Sequence, residues 1–153
     1  MRSRSSTPLV WLATLALAGC GSAGSSPSAF RASFLKQRTE FRNLGADLAT
    51  TIRQAAGKTD AQLAAQLVNL SARSAQQASR LAKLNPPSRY QGALGELVSS
   101  FRAVGGDLHQ IATAATRHDA SAGKAEVGSL VQDAKRVKAG DTTLSRALKL
   151  PGG

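Results

Sequence analysis

The chain has 153 residues and a formal charge of +11, and 42% of its residues are hydrophobic. That length suits one domain, and that hydrophobic fraction is enough for a packed core, which excludes wholesale disorder. With 28 alanines and only 4% aromatics, the chain favours helices over a β-sandwich or barrel. One cysteine excludes an intramolecular disulfide framework and any zinc site built from several Cys ligands.

The amino terminus reads as a targeting segment. Arg2 and Arg4 precede an uncharged apolar run from Leu9 to Ala18. A basic start, a short apolar run and small residues at a cleavage point are the parts of a secretory signal. The run is too short to span a bilayer, which needs about 20 apolar residues. It ends in Leu17-Ala18-Gly19-Cys20, where the chain's single Cys follows two small residues.

This tetrapeptide resembles the lipobox of bacterial lipoproteins. The resemblance implies cleavage between Gly19 and Cys20, a diacylglyceryl group on the Cys20 sulfur and acylation of the new amino terminus. It implies an extracytoplasmic location, anchored to the bacterial cell membrane, and says nothing of activity. Residues 1–19 would then be the signal peptide. Residues 20–28, lipidated Cys20 followed by Gly and Ser residues with Pro27, form a short flexible tether. Gly21 follows the modified Cys, so no Asp stands at the position that retains some lipoproteins at an inner membrane.

Residues 29–150 divide into four segments with helical periodicity. The first, about Ala29 to Ala56, carries Phe30, Phe34, Phe41, Leu44, Leu48 and Ile52 as one stripe, interrupted by Gln37. Arg31, Lys36, Arg38, Glu40 and Arg42 read as lying off it. Gly57-Lys58 ends the pattern. The second segment opens on a capping box, Thr59 with Gln62. It continues through Leu63, Leu67, Leu70, Ser74, Ala78, Leu81 and Leu84 until Pro86-Pro87 stops it.

The third segment opens on Ser88 and Gln91, a second capping-box pattern. Its stripe is the strongest: Tyr90, Leu94, Leu97, Phe101, Val104, Leu108, Ile111 and Ala115. Gly105-Gly106 inside it costs about 1 kcal/mol of helix propensity per Gly, and fits either a close helix contact or a bend. The fourth segment begins at Asp119, a good N-cap residue, and shows Val127, Leu130, Ala134, Val137, Leu144 and Leu148 on one face. Asp141 falls on that face. Gly140-Asp141 could break the helix, but the pattern is expected to run through it with a kink.

Four stripes of similar length joined by short connections predict an all-α fold, an up-down-up-down four-helix bundle with left-handed, coiled-coil-like packing. The interruptions at Gly57-Lys58 and Pro86-Pro87 argue against a long trimeric rod. In this topology the pole carrying the tether gathers fourteen cations against three acids. Arg31, Lys36, Arg38, Arg80, Lys83, Arg89, Arg146 and Lys149 are the expected contacts to anionic lipid head groups. Acidic wall polymers could use the same charges. Nucleic acid is an expected non-partner, because an export signal removes the protein from the chromosome.

No catalytic residue, metal site or cofactor motif is read from the sequence. His109 and His118 are nine apart and cannot share the i, i+4 face of a metal-binding helix. There is no phosphate-binding Gly-rich loop and no Glu-x-x-His pair. Asp107 and Asp141 are expected at the edges of the bundle, and the five Phe and Tyr residues in its core. The chain looks like the small helical-bundle lipoproteins of high-GC bacteria, which implies a non-catalytic binding or scaffolding role at the envelope. The alternative is a carrier or sensor, its bundle opening to hold a hydrophobic ligand; a ligand-sized cavity would favour that.

Overall fold

The computed structural model describes residues 25–151. The lipobox and the tether up to residue 24 lie outside the described residues. Four helices follow in chain order: α1 (Pro27–Gln54), α2 (Asp60–Ala82), α3 (Ser88–Thr116) and α4 (Ala120–Ala147), with a 3₁₀ turn at Ala55–Gly57. No strand occurs among the described residues. The fold is the expected all-α, up-down-up-down bundle. At one pole Ser25 bonds to the Asn85 carbonyl, and Arg31 donates to the Lys149 carbonyl at 3.3 Å. At the other, the His118 imidazole meets the Asp60 carboxylate at 2.6 Å.

The helix ends follow local chemistry. Pro27 occupies the first turn of α1, and the Ser26 hydroxyl accepts from the Ala29 N–H at 3.2 Å. Thr59 and Gln62 form the reciprocal capping box at the head of α2. Asp119 caps α4 by accepting from the Ala122 N–H at 2.9 Å. The expected box at Ser88 and Gln91 is absent. Pro87 is the N-cap, and Ser88 is already the first helical residue, so its hydroxyl is one position too late to cap. α3 and α4 both end in Schellman motifs, with His118 and Lys149 at φ 54°.

The core is one cluster. Phe30 stacks on Tyr90 with ring centroids 5.6 Å apart, Phe34 bridges Phe30 and Phe41, and Phe41 tilts against Phe101 at 5.4 Å. Leu67, Leu81, Leu97, Leu108 and Leu144 fill the layers between. Four residues of the apolar stripes line an open side of the core. Ile52 is 57% exposed and Val127 47%, Ala134 is also exposed, and Leu48 is only half-buried. All four face the line where α1 passes α4. There the two helices do not close on each other as α2 closes on α3 and α3 on α4.

Close approach is set by small residues. A Cβ on Gly105 would sit 3.3 Å from the Ser71 carbonyl oxygen of α2. Beside it the Ser71 hydroxyl donates to the Gly105 carbonyl and the Ser74 hydroxyl to the Phe101 carbonyl, both at 2.7 Å. Gly105 is therefore the contact glycine of the sequence pair, while nothing lies within 4 Å of a Cβ on Gly106. Gly140 works likewise for α4. A Cβ there would meet the Leu97 side chain at 3.2 Å, and α4 runs through Gly140 as one helix.

The two neighbouring glycines should respond oppositely to alanine. Gly106→Ala gains helix propensity without a clash and should stabilise by about 1 kcal/mol. Gly105→Ala pushes α2 from α3 and strains both serine bonds, so it should destabilise by about 1–2 kcal/mol. Thermal unfolding followed by circular dichroism measures both, and equal stabilisation by the two substitutions would contradict the assigned contact.

Candidate functional site

Three features stand out from the packed core. The first is the basic pole. Arg31 and Lys36 lie near the start of α1, Arg80 and Lys83 at the end of α2, Arg89 at the start of α3, and Arg146 and Lys149 at the end of α4. All seven are exposed. The Arg89 guanidinium lies 4.7 Å from the centre of the Tyr90 ring, which holds it over the end of the bundle. The antiparallel topology thus gathers, at the end where residue 25 enters, seven of the eight cations expected to meet a surface.

Arg38 is the exception and a correction. It is 3% exposed and lies inside the bundle. Its Nε and Nη2 donate to the two Asp141 carboxylate oxygens at 2.8 and 3.1 Å, and its Nη1 donates to the Pro151 carbonyl at 2.7 Å. The Ser145 hydroxyl adds a bond to Asp141 at 3.0 Å. Asp141 is accordingly not an edge residue. The sequence signal was available: Arg38 falls four after Phe34 and three before Phe41, in register with the stripe, and Asp141 falls in register on α4. Opposite charges in register on two apolar stripes can meet as a bidentate pair.

The second feature is a carboxylate pair between α3 and α4. Asp133 is buried, and its Oδ1 accepts from Arg136 at 2.6 Å. Asp107 faces it from α3. Burial, and then the charge and hydrogen bond of Asp133 with a smaller contribution from Glu126, push the Asp107 pKa up to about 6. A shallow depression of about 350 Å³ lies along this face, lined by Glu96, Ser100, Asp133 and Arg136 among others. Among the described residues, no group of three or more His, Cys, Asp or Glu is placed to hold a metal ion.

The third feature is the α1–α4 seam. Two apolar chambers of about 370 and 230 Å³ lie along it and adjoin at Leu48 and Ala134. Phe101, Val104 and Leu108 of α3 line the larger one, which has Arg42, Lys138 and Thr142 at its edges. Leu63 and Leu67 of α2 line the smaller one with Ile111, and Ile52, Val127 and Val131 form its exposed lip. The sequence assigned Ile52, Val127 and Ala134 to the core. Their periodicity shows an apolar face correctly, but it does not reveal that the facing helix stands off.

Among the described residues no helix is long and apolar enough to cross a membrane. Comparison of the chain with protein families, with curated proteins and with solved structures finds no match.

The raised Asp107 pKa has a consequence for stability. A carboxyl that ionises less readily in the folded than in the unfolded chain lowers stability as pH rises from about 4 through 6. Asp107→Asn places an amide donor beside Asp133 and removes the charge. It should stabilise by about 1 kcal/mol at pH 7.5 after allowance for solvent screening, and leave stability unchanged below pH 4. Urea unfolding at both values checks it, and an equal effect at both would contradict the carboxylate coupling.

Proposed function

We propose that the protein is a lipid-anchored, extracytoplasmic envelope protein. Its helical bundle has a non-catalytic binding or scaffolding role at the surface of the membrane that holds it. The anchor reading rests on Leu17-Ala18-Gly19-Cys20. The observation that carries the orientation is the pole of seven exposed cations at the end of the bundle where residue 25 enters. A short tether from Cys20 brings that end to the lipid. Each cation near an anionic surface contributes on the order of 1 kcal/mol, within a Debye length of about 8–10 Å.

The acyl chains and the charges divide the work. Several acyl chains give firm attachment, at roughly 0.8 kcal/mol per buried methylene. The charges set which end of the bundle faces the head groups. The far pole, with Asp60, Asp119 and Glu126 among its charges, is directed away from an anionic surface.

Two measurements test the two halves. For the anchor, the amino-terminal peptide of protein recovered from the envelope should begin at Cys20 and carry acyl mass. A chain that retains Met1 and a free thiol would overturn the reading. For the pole, the chain from residue 20 with Cys20→Ser should bind anionic vesicles and not neutral ones, more weakly as salt rises. Changing Arg31, Arg80, Lys83 and Arg89 together to Gln should weaken that binding by roughly a hundredfold or more. Equal binding to both vesicle types, or retention on acidic wall polymer alone, would reject the membrane-facing pole.

A further inference from the structure

We propose that the α1–α4 seam is a binding site for one long-chain fatty acid, its hydrocarbon in the two apolar chambers and its carboxylate between Arg42 and Lys138. The inference deepens the binding role without resting on the anchor or the basic pole.

The space has the capacity of one chain. At about 30 Å³ per non-hydrogen atom, the share a water molecule takes in its liquid, the two chambers together have room for on the order of twenty atoms, the size of one acyl chain. The length agrees. From Lys138, where the head would lie, to Val127 at the far end of the seam is about 16 Å along α4 at 1.5 Å per residue, and the larger chamber runs on past Lys138 to Asp141 and Thr142. One leaflet of a hydrocarbon core of about 30 Å is as deep, and a single acyl chain spans it.

The lining sorts head from tail. The tail end is wholly apolar, and its lip of Ile52, Val127 and Val131 supplies three of the five large hydrophobic side chains exposed among the described residues. Exposed apolar area concentrated at one cleft gains free energy when a ligand covers it. The other end is cationic. Arg42 and Lys138 are exposed, and neither has an ion-pair or hydrogen-bond partner among the described residues. The acid beside them, Asp141, has both oxygens bonded to Arg38. The uncompensated charge at this end is therefore positive and suits a carboxylate.

The other occupants of an apolar cleft fit less well. A partner helix or a second copy would present side chains to an open face, whereas this seam is a cleft floored by α3, and at its tail end by α2 as well. A neutral hydrocarbon would leave Arg42 and Lys138 without a function at its edge.

The test uses the full chain in isolated envelopes, with a palmitate analogue carrying a mid-chain diazirine as the probe. After irradiation, label should map to α1 and α4 peptides containing Leu48, Ala134 or Val137, and excess oleate should displace it where oleyl alcohol does not. Ala134→Trp, a change at an exposed residue shared by both chambers, should cut labelling by roughly tenfold. Should that variant unfold, Arg42→Gln with Lys138→Gln on the surface should cut it by roughly fivefold instead. Label confined to other faces, labelling unchanged by both variants, or a cross-linked dimer in place of labelled monomer would overturn the assignment. Loss of vesicle binding at the basic pole would leave it standing.

Discussion

The bundle's shape follows from a mismatch of side-chain size between its first helix and the other three. α2, α3 and α4 meet through Ser71, Ser74, Gly105 and Gly140, residues small enough for backbones to approach. α1 brings Phe30, Phe34 and Phe41, each bulky and each buried. Aromatic rings fill a wide gap well but hold the helix that carries them at a distance. Near the pole where residue 25 enters, the rings occupy that gap themselves. Beyond Phe41 the side chains of α1 on this face shrink to Leu44, Leu48 and Thr51, and no further ring follows. The seam opens there because the spacing set by the phenylalanines persists along a stiff helix while the filling does not.

The Arg38–Asp141 pair sits at the boundary between the filled and the open half. Removing two charges from water costs several kcal/mol per ion, so such a pair adds little net stability against an apolar alternative. Its geometry does something an apolar contact would not. The bidentate bond, with Pro151 and Ser145 as further partners, fixes the register of α1 against α4 where close backbone packing is absent. It also removes the one negative charge that would otherwise oppose an anion beside Lys138.

Much of this was legible in the sequence. Stripe spacing located all four helices, the capping box at Thr59 and the N-cap at Asp119, because those signals depend on neighbours within one turn. The missing cap at Ser88 shows the limit of the pattern: two prolines shifted the helix start by one residue, and the hydroxyl lost its geometry. Arg38 was misplaced for a different reason. A charge in register with an apolar stripe looks solvated until its partner on another helix is known, and that pairing is tertiary. The same holds for Ile52, Val127 and Ala134. Periodicity identifies which face is apolar, while the distance to the facing helix depends on the bulk of side chains several turns away.

The pole and the seam can act separately because of distance and screening. Antiparallel neighbours oppose their helix dipoles, so the field at each end comes mainly from side chains. Arg42 stands eleven residues beyond Arg31 and six beyond Lys36 on α1, or about 16 Å and about 9 Å along the axis at 1.5 Å per residue; at the end of the pole the separation is the larger. That exceeds a Debye length of about 8 Å at physiological salt. A charged surface at the end of the pole would therefore be largely screened from the mouth of the seam, whose charge is set locally by Arg42, Lys138 and the neutralised Asp141. An anion bound there would point its head toward the basic half and its tail toward the acidic far pole. Such a tail, carrying no charge, meets no electrostatic penalty.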